Sequence, residues 1–280
     1  MSPWRPRRRL ARALLYAGAA LLVLEAGAPF LWMASTSLKP PGEVFAEPPT
    51  VVPNAPTLDN FRRLFTGTNF LVYFRNSVVV SGLAVLLTLA VGSAGAYSLT
   101  RYRYPGREQI GILILCTYMF APIMIVIPFF IMVKRAGIEN THLALVLAFT
   151  SFCLPFTLWL LRAFFETIPV ELEEAALVDG ANRFRAVVYV VLPLALPGLV
   201  ATGIFTFILA WNDYIFTRIL ISSDELKTLP VGVQDLFHSA LIDWGLIMAA
   251  GVLITIPALA FFVAVQRHLV AGWGSGGLKG

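Results

Sequence analysis

Charged side chains are scarce in this sequence. Only 13% of its 280 residues are Asp, Glu, Lys or Arg, whereas 58% are hydrophobic. An ordinary soluble domain carries roughly 25% charged and 45–50% apolar residues. The composition therefore argues against a soluble domain and favours a chain whose solvent is mostly lipid.

Residue types that commonly carry site chemistry are also rare. The two cysteines, Cys116 and Cys153, lie inside apolar stretches and are interpreted as packing residues rather than a disulfide framework. The three histidines are scattered and match no metal-ligand spacing. None of the lysines follows a glycine, which excludes a GxxxxGK[ST] phosphate loop. We therefore expect no catalytic residue, no metal and no cofactor bound by this chain.

What the sequence has in abundance is long apolar stretches. A stretch of about 20 residues crosses a hydrocarbon core roughly 30 Å thick. Six stretches of that length cover residues 13–34, 77–98, 110–133, 142–161, 198–217 and 244–266. The pattern predicts an all-α integral membrane protein with six transmembrane helices, several of them kinked by internal prolines.

The basic residues predict the orientation. Cytoplasmic loops are enriched in Lys and Arg, and an even number of spans leaves both termini on one side. With both termini inside, the inner segments hold thirteen of the 21 basic residues. The chain is therefore predicted to be N-in and C-in, with Arg7, Arg8 and Arg9 flanking a retained anchor rather than a cleaved signal peptide.

The segments between the stretches define the expected organisation of a single transmembrane domain over 1–280, with its core at about 73–267. Its parts are an N-terminal tail and first helix at 1–34, a proline-rich outer segment at 35–76, a cytoplasmic loop at 162–197 and a cytoplasmic tail at 268–280. The loop 162–197 has helical signals: Pro169 at a first helical position, acidic first turns, and Gly180 as a stop before a second short helix that Pro193 interrupts. It is predicted to form a helix-turn-helix on the inner membrane face.

A specific spacing lies within that loop. Glu174-Ala175-Ala176 is followed after three residues by Gly180 and after nine more by Val190-Val191-Leu192-Pro193. This resembles the EAA loop of ABC importer permeases, in which EAA, three residues, G and nine residues precede I, any residue, L and P; only the isoleucine differs. The letters EAALVDGA over 174–181 further resemble the carbohydrate-uptake branch. Shorter matches along the chain, among them Leu38-Lys39-Pro40 and Ala210-Trp211-Asn212-Asp213, resemble the second permease of maltose- and trehalose-type importers.

The resemblance implies a division of labour between subunits. This chain would be a transport subunit of the bacterial cytoplasmic (inner) membrane, and not an enzyme. ATP and Mg would bind to two separate ABC ATPase subunits. A second, non-identical permease, an extracytoplasmic solute-binding protein and membrane lipid would be the other partners, with no nucleic acid. The residues implied to couple to the ATPase are Glu174, Ala175, Ala176, Asp179, Gly180, Leu192 and Pro193.

The chemistry of the loop agrees with docking. Small residues beside an acid let another protein approach closely, and glycine permits a left-handed turn between two short helices. The alternative is an amphipathic hairpin that only caps the inner face of the membrane.

Polar residues within a predicted span mark the candidate solute pathway. Trp211, Asn212, Asp213 and Tyr214 combine aromatic rings with amide and carboxylate groups, which suit the apolar faces and hydroxyls of a sugar. Asp213 could instead pair with Arg218 or stabilise a subunit interface. Glu25 in the first span has two open interpretations, contact with the partner permease or a solute role.

The substrate class is less sharply defined than the family. We find neither clustered acids, which would favour a polyamine, nor clustered bases, which would favour a glycerol phosphate; a sugar, polyol or oligosaccharide is therefore preferred. An ion-coupled secondary transporter using Glu25 and Asp213 is the rival from another class. It leaves the EAA spacing unexplained.

Overall fold

The computed structural model describes residues 5–238 and 242–274, and within these ranges the long regular elements are all helices. The helices are α1 Arg5–Ser37, α2 Pro41–Val44, α3 Asp59–Gly67, α4 Phe70–Arg101, α5 Arg107–Thr117, α6 Pro122–Arg135, α7 His142–Glu166, α8 Val170–Val178, α9 Arg183–Ala186, α10 Leu192–Leu194, α11 Leu196–Trp211, α12 Ile215–Leu220, α13 Leu229–Leu236 and α14 Trp244–Gly274. A π-helical turn, Val187–Val191, joins α9 to α10. The predicted all-α class is confirmed. The predicted tail 268–280 begins within α14, and its residues 275–280 lie outside the described residues.

The described helices provide between four and six candidate membrane spans. Four are long and apolar enough singly: Leu14–Ser37, Phe70–Arg101, His142–Glu166 and Trp244–Val263. Two further spans result if each bent pair counts as one: α5 with α6, bent by 101°, and Arg183–Leu194 with α11, bent by 79°.

The third apolar stretch, predicted as one span over 110–133, is two helices separated at residues 118–121. Pro122 opens α6, and the preceding Ala121 is extended with φ −62° and ψ 139°. Proline disfavours the helical conformation of the residue before it. The bend therefore follows from Pro122, while Pro128 remains inside α6.

The chain divides into two compact units, Met1–Thr68 with Asp235–Ile256 and Asn69–Gln234 with Pro257–Gly280. In the first unit, Lys39 is 2% exposed although it is charged. Its ammonium lies 4.5 Å from the centre of the Trp32 ring and donates to the Thr50 carbonyl at 2.5 Å. Asn60 on α3 donates to the Ser37 and Lys39 carbonyls at 2.8 and 2.9 Å. These bonds order the proline-rich part of the chain between α1 and α4, in which the short helices α2 and α3 form.

In the second unit, α4 packs along α7 and α11 through small residues. A Cβ added at Gly92 would lie 2.5 Å from Cγ2 of Thr157, and one added at Gly95 would overlap Leu158. Small residues let transmembrane helices approach closely, so that dispersion contacts can replace the missing hydrophobic driving force. A side chain added at Gly92 or Gly95 would therefore have to displace Thr157 or Leu158 of α7.

The helix α4 begins seven residues earlier than the apolar stretch predicted at 77–98. Its first two turns carry the polar residues Asn76 and Ser77, both buried. Asn76 donates to the carbonyls of Glu225 and Lys227 at 2.8 and 2.9 Å, and the Ser77 hydroxyl accepts from the Leu229 N–H at 2.8 Å. A distant loop satisfies these groups, which is why hydropathy alone places the helix start too late.

Candidate functional site

The hairpin of α8, the turn after it and α9 carries most of the predicted coupling residues. α8 ends in a Schellman motif: the Gly180 N–H donates to the Leu177 carbonyl at 3.1 Å, and the Ala181 N–H donates to the Ala176 carbonyl at 3.0 Å. Gly180 has φ +88°, the left-handed conformation that this motif requires and that glycine adopts without strain. The predicted glycine stop is therefore present.

The second half of the hairpin begins with a side-chain cap. Asn182 has extended backbone, and its Oδ1 accepts from the Arg185 N–H at 2.8 Å. A capping residue of this kind satisfies one of the free N–H groups at a helix start. The two ends of the turn are thus each closed by local hydrogen bonds, which fixes the angle between α8 and α9.

The tip of the hairpin presents acids and small or apolar side chains together. Glu174, Ala175 and Asp179 are exposed, and Ala176 is half-buried. Beyond them, Val178 is 88% exposed and Phe184 is 76% exposed. Sequence reasoning missed this pair, although apolar residues flanking the EAA letters were a signal.

The last two predicted coupling residues, Leu192 and Pro193, lie apart from the tip. Leu192 is half-buried and its N–H donates to the Val187 carbonyl, five residues back, in the π-helical turn. Pro193 lacks an N–H, and its ring would clash with the carbonyl four residues back in a regular helix. The wider turn accommodates it, and Val191 is packed with no exposure beside Leu161. This end of the motif anchors the hairpin.

A buried ion pair joins α8 to the end of α4. Arg101 Nε lies 2.5 Å from Glu173 Oε1, and the Tyr97 hydroxyl donates to Glu173 Oε2 at 3.0 Å. Arg101 Nη2 also donates to the Ile168 carbonyl at 2.9 Å. The side chains of Arg101 and Glu173 are only 9% and 7% exposed. Sequence reasoning treated Glu173 only as an acid in the first turns of a helix.

The candidate solute residues meet at the break between α11 and α12, where the predicted span 198–217 is interrupted. Trp211 is 1% exposed, stacked on Phe207 with ring centres 5.4 Å apart and edge-on to Phe74 at 5.8 Å. Asn212 is exposed, and Tyr214 is 39% exposed. The structure therefore brings all four residues together but buries the tryptophan.

Asp213 caps α12. Its carboxylate accepts from the Phe216 N–H at 3.3 Å, and from the Thr217 N–H and hydroxyl at 3.0 and 3.2 Å. These donors satisfy the acid locally, as in helix capping generally. Glu25, the other acid in a predicted span, lies on an exposed face of α1.

The loop between α12 and α13 is fastened to the start of α4 through Asp224. Its carboxylate accepts from Asn69, Tyr73 and Lys227, each at 2.8 Å. The hydrogen bond from Lys227 is the largest cause that lowers the pKa of Asp224 below its ordinary value. No group of three potential metal ligands occurs among the residues that the structure describes.

Apolar helices long enough to cross a bilayer, with a helix-turn-helix between two of them in the sequence, define a helical membrane protein. Residues 89–274 match the family model described as the binding-protein-dependent transport system inner membrane component. The chain belongs to this family and is a multi-pass protein of the inner membrane.

Relatives extend over nearly the whole chain. It is 37% identical to the inner membrane ABC transporter permease protein YcjP of Escherichia coli (strain K12), covering 98% of this chain and 99% of that one. It is 35% identical to the trehalose/maltose transport system permease protein MalG of Thermococcus litoralis, covering 97% and 98%. A chain of a bacterial ABC transporter involved in the import of the acidic polysaccharide alginate shares the fold, with a TM-score of 0.82, 23% identity and coverage of 95% and 99%.

Proposed function

We propose that this chain is one permease subunit of an ABC importer for a sugar, polyol or oligosaccharide. It spans the membrane six times as one transmembrane domain with both termini inside, each bent helix pair counting as one span. ATP hydrolysed on two separate subunits, with their Mg, drives transport through contact with the hairpin α8–α9. The observation that carries this proposal is the exposed EAA tip on a hairpin closed at both ends by hydrogen bonds.

The geometry of that tip suits docking rather than capping of the membrane face. Val178 and Phe184 point into solvent instead of packing on the rest of the chain, and exposed apolar residues mark interaction sites when they adjoin a shaped surface. Ala175 presents no side chain beyond Cβ, so a partner can approach the α8 backbone. A rigid hairpin loses little conformational entropy on binding.

A second permease is supported by the break between α5 and α6. Irregular backbone at membrane depth is tolerated only where protein covers it or water reaches it. In this chain Tyr118 and Phe120 are 36% and 54% exposed, and Met119 is 84% exposed. We infer that the break faces the partner permease and the watery path between the two subunits.

A carbohydrate substrate is supported by the relatives named for trehalose and maltose transport and by the α11–α12 break. Asn212 and Tyr214 offer an amide and a phenol ring to the path, the pair of groups that binds hydroxyls and apolar sugar faces. Trp211 supports the break from within, and Asp213 holds the following helix in register. A solute-binding protein delivers the cargo to the outer loops.

The test compares two charge reversals on α8. The assembly is purified with its ATPase and partner permease, placed in liposomes, and assayed for ATP-dependent uptake of a labelled sugar panel. Glu174→Arg is expected to abolish uptake and solute-stimulated ATPase activity while the two permeases stay assembled. Glu171→Arg, one turn earlier on the same exposed helix, is the control and should retain uptake. Equal activity in Glu174→Arg and wild type would contradict the docking role.

A further inference from the structure

We propose that Glu173, Arg101 and Tyr97 form a mechanical link through which movement of the α8–α9 hairpin moves α4. This inference rests on the proposed coupling function and assigns positioning residues to it. None of the three residues contacts solute or ATP in the proposal. They act by joining the hairpin to a transmembrane helix.

The link consists of hydrogen bonds made by two charged groups, the Arg101 guanidinium and the Glu173 carboxylate. Arg101 is the last residue of α4, and its guanidinium contacts both Glu173 on α8 and the Ile168 carbonyl in the turn before α8. Tyr97, one turn earlier on α4, donates to the other oxygen of Glu173. Both carboxylate oxygens are therefore occupied by donors from α4, and one arginine holds α4, α8 and the turn between α7 and α8.

The position of Glu173 beside Glu174 separates two roles on one helix. Consecutive residues of an α-helix point about 100° apart, since a turn contains 3.6 residues. Glu173 is 5% exposed and faces α4, whereas Glu174 is exposed. A protein that docks on Glu174 thus moves α8, and the neighbouring Glu173 on that helix is bonded to α4.

The burial of the pair makes the link stiff. Removing one partner of a buried ion pair leaves an uncompensated charge away from water, so the two groups resist separation. Arginine presents donors in a planar fork that reaches two acceptors at once, which lysine lacks. A second contact supports the same junction: the Arg183 guanidinium on α9 lies 5.4 Å from the ring centre of Tyr102, which stacks edge-on to Tyr97 at 6.0 Å.

The link completes the connections of the hairpin to the bundle. The hairpin is joined covalently to α7 before it and to α11 after it, but α4 lies far away in the sequence. The interface of α4 with α7 has no room at Gly92 or Gly95, so α4 transmits a displacement as a rigid element. Through Arg101, α4 receives the same movement as α7 and α11, the two helices with which it packs.

The alternative is that the ion pair only keeps the hairpin folded. In that case its loss lowers assembly, ATPase activity and uptake together. A link predicts a different pattern, in which the ATPase subunits still bind and hydrolyse ATP but move less solute. The readout is therefore the number of solute molecules imported per ATP hydrolysed.

The experiment uses the reconstituted full assembly with Arg101→Gln, Glu173→Gln, the double variant and Tyr97→Phe. We expect each charge-neutralising single variant to lower solute per ATP about tenfold, and the double variant to be no worse than either single one, because residues in one network are not additive. Tyr97→Phe removes one hydrogen bond without exposing a buried charge and should give a smaller loss. Arg103→Gln, on the exposed connector after α4, is the control and should behave as wild type.

Two results would overturn the link. One is that Arg101→Gln and Tyr97→Phe import as many solute molecules per ATP hydrolysed as the wild type does. The other is a parallel fall of ATPase binding, hydrolysis and uptake in every variant, which indicates a folding role only. If the wild-type assembly itself shows no ATP-driven uptake, the proposed function fails rather than the link alone.

Discussion

Replacing Gly180 by alanine perturbs the hairpin turn and little else. The φ of Gly180 is +88°, and a Cβ built there meets no atom within 4 Å. The substitution therefore strains the backbone without creating a collision. A left-handed conformation costs a non-glycine residue roughly 1–2 kcal/mol.

That strain translates into a smaller population of correctly shaped hairpins. A change of one to two kcal/mol corresponds to a factor of about 5 to 30 in an equilibrium. Asparagine tolerates the left-handed position better than alanine does. We therefore expect ATP-driven uptake to fall in the order Gly180, Gly180→Asn, Gly180→Ala.

Matched controls separate coupling from stability. Gly106 has φ +84° and Gly137 has φ +68°, and a Cβ at either position also meets nothing within 4 Å. Gly106→Ala and Gly137→Ala should therefore carry a similar backbone cost outside the hairpin. The assay measures the initial uptake rate and the retention of ATPase subunits on the purified permease pair. Equal losses in all three alanine variants would refute a special role for the turn at Gly180.

Three further predictions concern packing, the solute path and pH. Gly95→Val should destabilise the permease by forcing α4 away from Leu158 on α7, whereas Gly82→Val, at an open position of α4, should not; thermal unfolding in detergent measures both. Asn212→Ala should raise the KM of uptake with normal amounts of folded protein. Trp211→Ala, which truncates a buried side chain, should lower the free energy of unfolding by about 3–5 kcal/mol and with it the amount of folded protein. The lowered pKa of Asp224 means that its hydrogen bonds stabilise the fold above pH about 4 and are lost as the pH falls through the folded-state pKa.

The outcomes that would contradict these predictions are specific. Equal unfolding temperatures for the Gly95 and Gly82 variants would refute close packing at the α4–α7 interface. A KM unchanged by Asn212→Ala would remove this amide from the solute path. For Asp224, the difference in Tm between wild type and Asp224→Asn should be present at pH 7 and vanish in acid; a difference that persists below the folded-state pKa would contradict the role of the charged form.

Local signals in the sequence predicted the hairpin well. The glycine stop at Gly180 depends on neighbours within a few residues, so helix-termination rules find it. The π-helical turn before Pro193 was not predicted, although the proline was its signal. Composition likewise predicted apolar helices, because the hydropathy of a segment indicates directly whether it lies in lipid or in water.

Features set by distant contacts were not predicted. The start of α4 at Phe70 depends on a loop about 150 residues away that bonds Asn76. The burial of Trp211 depends on its ring contacts with Phe74 and Phe207, which lie elsewhere in the sequence. The inward face of Glu173 follows from Arg101 at the end of another helix. A single sequence does not show which distant residues contact each other.

ATP-driven uptake is the most direct test of the central claim. Liposomes containing the two permeases and the ATPase subunits enclose ATP or a non-hydrolysable analogue, and proton and sodium gradients are collapsed with ionophores. The account predicts that a labelled sugar, presented on its binding protein, enters only with hydrolysable ATP and enters equally without ion gradients. Uptake that continues without ATP and stops when an ion gradient is collapsed would contradict it.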